Sequence, residues 1–541
     1  MSNFQEYVNR HPKSNPQPIN YGTSGLRYKA QFLDSIAFRM GIVATLRSRA
    51  TGGKVIGLMI TASHNPVEDN GIKLIDYTGD MIDSGWESIC SMLANVADEI
   101  LEETVQQVIH EHVPDKMGKV RGLVMVGRDT RPSSESLSKA AIDGLRAMNA
   151  LTTNDFSSEN MGLLTTPQLH YIVHAFNHAH QGEPNEKGYY DKFGAAFIDL
   201  MDSVEHGTSS SKYQPEVHLD CANGVGGPKM EIFAPQISAH LGIVLHNKGD
   251  GVVNQDCGSS FVETTFREPV GCQVKPGEKW ASFDGDADRL IYYYKDSDSK
   301  AIRLLNGDKL AALFSLYVRE LLEASSLVSK LTFGVVQTAY SNGRTTQFIR
   351  NLLKIEPDCA ATGVKNLMNK TKKYDIAVFF EANGHGSIVY TEKAKSILLA
   401  EKQNDNKAAT MLLKVLNLMN QGTGDAISDL LLTEAILKAK GWNLSDWDAI
   451  YETSPSCLLK IVVPNRHFVK SNEIATLVLE PKGLQAEIDT LIKSLTNEGR
   501  VVVRPSGTED IVRVYAEAET QEKADKLANE VLQLVKKYSE R

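Results

Sequence analysis

The chain has 541 residues, 42% of them hydrophobic, which is too long for one core, so we expect three to four domains. The formal net charge of −9 excludes a chain-wide attraction to nucleic acid or to anionic lipid. The N-terminal residues are polar, no apolar stretch is long enough for a membrane helix, and the six cysteines are scattered. We therefore expect a cytoplasmic protein with reduced thiols.

Short β-branched runs alternate with longer amphipathic segments, which predicts βα units around mixed, largely parallel sheets. The predicted strands are residues 55–60, 123–126, 217–219, 290–294, 331–336 and 376–380. Amphipathic periodicity predicts helices over residues 189–204 and 521–538. Polar or charged interruptions place domain boundaries near residues 182, 297 and 440.

Two glycine- and arginine-containing turns occur in the first third of the chain. Arg27 ends the turn at residues 22–27, and Arg128 and Arg131 follow the predicted strand at 123–126. Either turn has an ordinary structural explanation as a surface loop. Together with Lys73 and Lys365, however, these arginines supply the cations that would offset phosphate groups in an acidic protein.

Residues 61–66 read Thr-Ala-Ser-His-Asn-Pro and follow the first predicted strand. Pro66 prevents a helix from starting at once, so we expect Ser63 to be exposed at the strand end with His64 beside it. A serine at this position can be a nucleophile, and it is also a common turn or cap residue. The chain has no G-x-S-x-G elbow, which argues against acyl transfer of the α/β-hydrolase kind.

Three carboxylates stand at alternate positions in Asp284, Asp286 and Asp288, ahead of an apolar run. Such closely spaced like charges repel one another unless a cation neutralises them, and oxygen ligands suit Mg²⁺. An EF-hand would require Gly in place of Arg289 and Glu in place of Lys295, which excludes a calcium loop of that type. A solvated acidic turn remains the alternative.

Polar residues also follow the predicted strand at 376–380, where Glu381, Asn383 and His385 lie in a Gly-containing loop. Ligand sites of α/β proteins lie at the carboxyl ends of strands, and Glu and Asn at alternate positions can bind neighbouring sugar hydroxyls. Read alone, this segment is only a Gly-rich loop.

The C-terminal region carries a candidate phosphate cradle. It combines guanidinium groups, hydroxyls and a glycine that allows backbone amides to face an anion, in Arg504, Ser506, Gly507, Thr508 and Arg513. It is not a Walker A loop. The alternative is a β-turn that is capped by Ser506 and closed by an ion pair with Glu509.

Taken together, these segments resemble the α-D-phosphohexomutase superfamily. Its hallmarks are a phosphoserine loop, a D-G-D-x-D-R metal loop, a sugar-binding Glu loop and a C-terminal R-x-S-G-T phosphate loop, and all four occur here. Two details resemble the phosphoacetylglucosamine mutase branch. The sugar loop reads Glu-Ala-Asn-Gly-His at 381–385, and Ser63 precedes the Gly-Arg-Asp segment at 127–129, which implies a rearranged first domain.

The resemblance implies four domains around a central cleft, three of them α/β with mixed sheets and the last a smaller α+β lid. We expect a phosphoserine domain at 1–181, a metal domain at 182–297, a sugar domain at 298–440 and a phosphate domain at 441–541. The implied activity interconverts N-acetylglucosamine 6-phosphate and 1-phosphate, for UDP-N-acetylglucosamine synthesis, with Mg²⁺ and a glucosamine-type 1,6-bisphosphate intermediate. The expected partner is a sugar phosphate, not nucleic acid or a membrane, and the oligomeric state stays open.

The resemblance also implies a role for each residue of the four loops. Ser63 would carry the phosphoryl group and, with Asp284, Asp286 and Asp288, bind the metal. Arg27 and Arg128 would support the phosphoserine loop. The catalytic groups or general bases would be His64, Lys73, Arg289, Lys365 and His385. The sugar ligands would be Glu381, Asn383 and His385. The phosphate that is not transferred would be bound by Arg504, Ser506, Gly507, Thr508 and Arg513.

Three alternatives remain. A general phosphoglucomutase or phosphomannomutase would use the same loops on another sugar. A haloacid-dehalogenase-like phosphatase would use Asp284 as nucleophile, but that family has Thr or Val at the position of Asp288, and it leaves the Ser63 loop without a role. A non-catalytic sugar-phosphate sensor has no need for an intact serine and an intact Asp triad.

Overall fold

The computed structural model describes residues 3–113, 121–152, 155–178, 182–204, 211–506 and 510–540. The chain forms two compact units. Unit 1 consists of Met1–Leu304 and Lys414–Asn443, and unit 2 consists of Leu305–Leu413 and Leu444–Arg541. Among the helices of the described residues, none is long and apolar enough to cross a membrane.

The first sheet of unit 1 has the strand order β1-β3-β2-β4-β5, in which β2, β4 and β5 are parallel and β1 and β3 are antiparallel to their neighbours. Since β2 and β4 are parallel neighbours, the loops that follow them meet at one edge of the sheet. The elements, in chain order, are α1 (Asn3–Arg10), β1 (Leu26–Lys29), α2 (Asp34–Ala50), β2 (Ile56–Ile60), β3 (Asp69–Ile75), α3 (Ser84–Asn95), α4 (Leu101–His112), β4 (Arg121–Arg128), α5 (Ser134–Leu151), β5 (Asp155–Leu163) and α6 (Thr166–Asn177).

Helices α2 and α5 of this region pack together at very short range. A Cβ atom added to Gly41 would overlap the carbonyl of Ala141, and one added to Gly144 would overlap the carbonyl of Phe38. Only glycine allows two backbones to approach so closely. All of β2 is buried, as its uninterrupted apolar sequence requires.

The second sheet of unit 1 has the order β10-β9-β8-β6-β7, with β6, β7 and β8 parallel and β9 antiparallel to β8. The turn from β8 to β9 carries the three predicted metal ligands. The elements are α7 (Glu186–Ser203), β6 (Glu216–Asp220), α8 (Gly226–Ile237), β7 (Gly242–His246), α9 (Ser259–Thr265), β8 (Trp280–Phe283), β9 (Leu290–Lys295) and β10 (Ile302–Leu305).

The third sheet, in unit 2, has the order β12-β11-β13-β14, with only β14 antiparallel among these strands. The elements of this part of the chain are α10 (Gly307–Ala324), β11 (Phe333–Thr338), α11 (Gly343–Asn351), β12 (Asp358–Ala360), α12 (Val364–Thr371), β13 (Ile376–Phe380), β14 (Gly386–Tyr390), α13 (Glu392–Gln403), α14 (Lys407–Asn417) and α15 (Ala426–Lys440). Helix α15 belongs to unit 1, where the N–H of Ala426 donates to the carbonyl of Ala287 at 3.2 Å.

The C-terminal part of unit 2 is an antiparallel sheet of order β15-β19-β18, with a short β16-β17 pair beside it. An apolar core lies between one face of the β15-β19-β18 sheet and the helices α17 and α18. The elements are α16 (Leu444–Asp448), β15 (Ser456–Val462), β16 (Lys470–Ser471), β17 (Val478–Glu480), α17 (Leu484–Leu495), β18 (Arg500–Pro505), β19 (Ile511–Glu517) and α18 (Gln521–Ser539).

The predicted fold class, α/β mixed sheets with a smaller C-terminal α+β domain, is confirmed. The strand predicted at 376–380 has the bounds of β13, and the helix predicted at 521–538 is α18. The strand predicted at 331–336 begins two residues later, at Phe333. The boundaries at 182, 297 and 440 stay predictions.

Candidate functional site

Ser63 lies in the loop after β2, and its hydroxyl contacts the acidic loop that follows β8. Its backbone is in the left-handed region, with φ of 53°. Its Oγ donates a hydrogen bond to Oδ2 of Asp284 at 2.6 Å. The prediction placed Ser63 correctly at a strand end, but its expected exposure was wrong, because the residue is 1% exposed. The acidic loop covers it: a Cβ atom on Gly285 would lie 2.5 Å from the Ser63 carbonyl oxygen.

The three aspartates of this loop form a buried cluster. Asp284, Asp286 and Asp288 are 1%, 0% and 3% exposed, and one carboxylate oxygen from each lies within 4.8 Å of the others. In the protein alone, burial and the charges of Asp288 and Asp286 raise the pKa of Asp284 well above its ordinary value. The buried Oδ1 of Asp286 accepts no hydrogen bond from any described residue. Clustered hard oxygens with an unfilled acceptor suit a divalent cation.

Two residues from other elements fix the position of Asp286. Lys73 of β3 places its Nζ 2.8 Å from Oδ2 of Asp286 and 3.2 Å from Oδ2 of Asp288. Thr166, the first residue of α6, donates its hydroxyl to Oδ2 of Asp286 at 2.6 Å. Burial acts to raise the pKa of Asp286, but the charge and hydrogen bond of Lys73 outweigh it, so the pKa is lowered. The sequence prediction included Lys73 and missed Thr166.

Further positive charge surrounds Ser63. Arg289 lies 3.8 Å from Oδ2 of Asp284, and Arg27 donates to Oδ1 of Asn65 at 3.3 Å. The charge of Arg289, followed by burial, lowers the pKa of His64 well below its ordinary value. The imidazole of His64 is therefore neutral at neutral pH. The structure thus brings the predicted residues Arg27, His64, Lys73 and Arg289 together around Ser63 and the aspartates.

Arg131 clamps the backbone of the Ser63 loop. It is 2% exposed. Its Nη1 donates to the carbonyls of Pro66 and Asp69 at 2.5 and 3.1 Å, and its Nη2 donates to those of Ser63 and Asn65 at 3.0 and 2.8 Å. A guanidinium carries five N–H donors in a rigid plane, so one side chain can hold four carbonyl oxygens. The clamp keeps Ser63 in its left-handed conformation.

Asp129 orients Arg131 through a hydrogen bond of 3.0 Å from Nε to its Oδ2. The same carboxylate oxygen accepts the Thr61 hydroxyl at 2.8 Å, which in turn accepts the N–H of Ser63 at 3.0 Å. Asn254 adds donors to the carbonyls of Ser63 and Asn65 at 2.8 and 3.0 Å. The Ser63 loop is therefore held by two other loops of unit 1.

Arg128 was predicted to support the Ser63 loop. In the structure, Arg131 supports this loop. Arg128 ends β4 in register with Ile60 and is half-buried, and its charge acts on Glu135 of α5. Within the described residues, its side chain makes no hydrogen bond to the Ser63 loop. Arg128 is the last residue of β4, whereas Arg131 lies in the loop beyond the strand. The Asp-x-Arg pattern at 129–131 was the available signal for the clamp.

The predicted sugar loop connects β13 and β14 in unit 2. Oε1 of Glu381 accepts the N–H of Gly363 at 2.8 Å, and its Oε2 accepts Nδ2 of Asn383 at 3.3 Å. Oδ1 of Asn383 accepts the N–H of His385 at 3.0 Å. Lys365 lies in the first turn of α12, two residues after Gly363. The structure therefore brings the loop of Glu381 and the loop of Lys365 together.

The predicted phosphate loop connects β18 and β19. Arg504 and Arg513 are direct cross-strand partners on these two strands. The N–H of Ser506 donates to the carbonyl of Ile511 at 2.7 Å. Gly507 and Thr508 lie outside the described residues. Two guanidinium groups on opposed positions of one sheet face form a positively charged patch.

Comparisons with known proteins agree with this arrangement. Four family models match successive parts of the chain. Phosphoglucomutase/phosphomannomutase, alpha/beta/alpha domain I, matches residues 43–98 and 92–182. Phosphoacetylglucosamine mutase AMG1, domains II and III, match residues 182–291 and 306–442, and the phosphoglucomutase/phosphomannomutase C-terminal domain matches residues 458–534.

Relatives match almost the whole chain. The phosphoacetylglucosamine mutase of Mus musculus is 42% identical over 97% of this chain and 95% of its own length. The chain belongs to the phosphoacetylglucosamine mutase family. A crystal structure of an N-acetylglucosamine-phosphate mutase in its substrate complex shares 39% identity and superimposes with a TM-score of 0.92, covering 98% of this chain and 99% of that one.

A further member of the phosphoacetylglucosamine mutase family, from Aspergillus fumigatus, has been solved with GlcNAc-6P and magnesium. It is 38% identical with a TM-score of 0.90, and the match covers 99% of both chains. A variant of that fungal protein has been solved with glucose 1,6-bisphosphate. The resemblance stated from the four loops is thus confirmed, and the dehalogenase-like phosphatase is not supported.

Proposed function

We propose that this chain interconverts N-acetylglucosamine 6-phosphate and N-acetylglucosamine 1-phosphate by passing a phosphoryl group through Ser63. The observation that carries the proposal is the hydrogen bond of 2.6 Å from Ser63 Oγ to Asp284, in a loop locked by Arg131, within a member of this mutase family. A hydroxyl that must give and take a phosphoryl group needs a fixed position, and the clamp provides it.

Three aspartates and Ser63 would hold Mg²⁺, in keeping with the unfilled oxygen of Asp286 and with the magnesium in the fungal relative. When bound, the ion would supply positive charge for the phosphoryl oxygens and for the crowded carboxylates. Lys73 fixes Asp286 by its ammonium group. Arg289 and Arg27 would offset the charge of phosphorylated Ser63, about −1.5 to −2 at neutral pH.

In unit 2, Glu381, Asn383 and His385 would bind sugar hydroxyls, and Arg504, Ser506, Gly507, Thr508 and Arg513 would bind the phosphate that is not transferred. Transfer from Ser63 to the free hydroxyl would give a 1,6-bisphosphate, which must turn over before the other phosphate returns to Ser63. Lys73, Lys365, His64 and His385 are the candidates for the general base.

We place this reaction in the cytoplasm as the step that supplies N-acetylglucosamine 1-phosphate for UDP-N-acetylglucosamine synthesis. The six cysteines form no disulfide in the structure, which suits a reducing compartment. Fractionation of the source cells with antibody detection would test the compartment.

The central experiment follows purified protein and N-acetylglucosamine 6-phosphate by ³¹P NMR, which resolves the two monophosphates and inorganic phosphate. We expect the 1-phosphate to appear, together with one phosphoryl group on serine in the intact mass. Ser63→Ala should lose both signals, whereas Ser136→Ala, on the exposed face of α5, should keep them. Release of inorganic phosphate as the main product would sink the proposal, and equal kcat/KM for glucose 6-phosphate would leave a general phosphoglucomutase.

A further inference from the structure

The pair of arginines on β18 and β19 has no counter-charge within the described residues. Arg504 and Arg513 are cross-strand partners, and neither forms an ion pair with a described carboxylate. Like charges directly opposite each other on one sheet face destabilise the pair of strands. An anion between them would remove this repulsion, which is the role that the proposed function gives to the phosphate that is not transferred.

Tyr340 lies beside this pair. It belongs to the loop between β11 and α11, and its ring packs edge-on against Tyr515, with centroids 5.9 Å apart. Tyr515 lies two residues from Arg513 on the same face of β19. Burial raises the pKa of Tyr340, and the charges of Arg504 and Arg513 act in the opposite direction, as expected of a hydroxyl close to both guanidinium groups.

Among the described residues, the Tyr340 hydroxyl finds no hydrogen-bond acceptor. The hydroxyl is buried against the Arg504 side chain, and no described residue accepts a hydrogen bond from it. A guanidinium has donors only, so it cannot accept this proton. A buried donor without an acceptor costs free energy. The acceptor that suits a site beside two cations is an anionic oxygen.

The backbone on both sides of Tyr340 is tied to the strands that carry the arginines. Arg500 of β18 donates Nη1 to the carbonyl of Ala339 at 2.8 Å and Nη2 to that of Ser341 at 2.5 Å. Its Nη2 also donates to Glu517 of β19 at 2.6 Å. Tyr340 therefore keeps its position relative to Arg504 and Arg513, which is the preorganisation that a binding residue needs.

We propose that the Tyr340 hydroxyl donates a hydrogen bond to the phosphate held by Arg504 and Arg513, as a further binding residue for the sugar phosphate. This inference rests on the proposed function, in which that phosphate is the one that is not transferred. Since either end of the sugar carries this phosphate in turn, the hydrogen bond serves both N-acetylglucosamine 1-phosphate and N-acetylglucosamine 6-phosphate.

The test measures direct binding of the two monophosphates by isothermal titration calorimetry, in a Ser63→Ala background where no transfer occurs. Tyr340→Phe keeps the ring against Tyr515 and removes only the hydroxyl. We expect the Kd of both ligands to rise at least about tenfold, with a thermal midpoint no lower than that of the parent, because the change removes a buried donor that lacks an acceptor. The matched control is Tyr451→Phe, which removes another buried hydroxyl of unit 2, one that accepts the Thr345 hydroxyl at 2.8 Å. It should leave both Kd values unchanged.

A Kd for Tyr340→Phe within twofold of the parent would overturn the inference, as would a loss confined to one of the two monophosphates. A parent protein that binds neither ligand would instead overturn the proposed function. The two failures are therefore distinguishable in one set of titrations.

Discussion

The two charged regions of this chain are built on opposite principles. Around Ser63, the aspartates 284, 286 and 288 are matched by Lys73 and Arg289, and the loop carbonyls are matched by Arg131. On the sheet of β18 and β19, Arg504 and Arg513 oppose each other without a described counter-charge. The first region is largely balanced within the protein, leaves the remaining negative charge of its carboxylates to the proposed Mg²⁺, and holds a reacting group still. The second has no counter-charge among the described residues, so we expect a bound anion to stabilise it.

Because of this contrast, substitutions in the two regions should separate positioning from binding. A substitution in the balanced region leaves buried charges without partners and should change catalysis, metal binding and local order together. A substitution in the unbalanced region removes attraction for a ligand and should leave the free protein intact.

The largest effect is expected for Asp286→Asn. The change removes one carboxylate from the proposed Mg²⁺ site and the charge partner of Lys73, which costs several kcal/mol of stabilisation of the transferred group. We expect kcat to fall at least about a hundredfold. Calorimetric titration with Mg²⁺, without substrate, should show weaker binding.

The control for this change is Asp298→Asn, in an exposed turn of unit 1, which should behave as the parent. Unchanged Mg²⁺ affinity in Asp286→Asn would refute the metal role of the cluster. Unchanged activity of the parent protein in the presence of EDTA would also refute the metal role of the cluster.

The chemistry of both regions was accessible from sequence because each loop is contiguous. Ser63, the Asp triad and the arginines of the last loop stand in short motifs at strand ends, where α/β proteins place ligands. The residues that fix these loops are not contiguous with them. Thr166 and Asn254 reach the first region from other elements, so no local pattern reveals them.

The fold shows the same division. Strand β13 is an unbroken buried apolar run and was found with its bounds, because its pattern is strong and its ends are polar. Helix α2 was not predicted, because it is apolar around most of its circumference and buried from Ser35 to Leu46, so it lacks the periodicity of a surface helix. The burial of Ser63 was also missed, because it depends on a loop more than two hundred residues away in sequence.

Arg504→Ala should give the next largest effect. Truncation of one partner of a hydrogen-bonded charge pair costs on the order of 2–5 kcal/mol, so kcat/KM should fall at least tens-fold with either monophosphate. Phosphorylation of Ser63 should be unaffected, because Arg504 belongs to the unbalanced region. Steady-state kinetics in both directions and the intact mass measure these quantities.

The control is Arg350→Ala, on the exposed face of α11, where the side chain pairs with Glu356. It should leave kcat/KM unchanged. If Arg504→Ala instead removed the phosphate from Ser63 and kept sugar-phosphate binding, the division between the two regions would be wrong.

Substitution of Asp308 in unit 2 is expected to have the smallest effect on turnover and a clear effect on stability. This buried carboxylate accepts the N–H of Asn342 at 2.8 Å through Oδ2, and no described cation forms an ion pair with it. Burial raises its pKa to about 6, with Glu517 acting in the same direction and Arg500 against it. In the unfolded chain, the pKa of an aspartate is about 3.9.

The sign follows from these two pKa values. Between about pH 4 and pH 6 the folded protein binds more protons at Asp308 than the unfolded protein, so stability falls as the pH rises through this window. Two pKa units correspond to roughly 3 kcal/mol. Asp308→Asn keeps the acceptor for Asn342 without a charge, so it should be more stable than the parent at pH 7 and equal to it at pH 4. Scanning calorimetry across this range measures the difference, and the exposed Asp489→Asn should show none. The prediction fails if the difference in unfolding free energy between Asp308→Asn and the parent does not change with pH. Asp308 would then stay ionised in the folded protein below pH 6, and this region would tolerate a buried charge as the Ser63 region does.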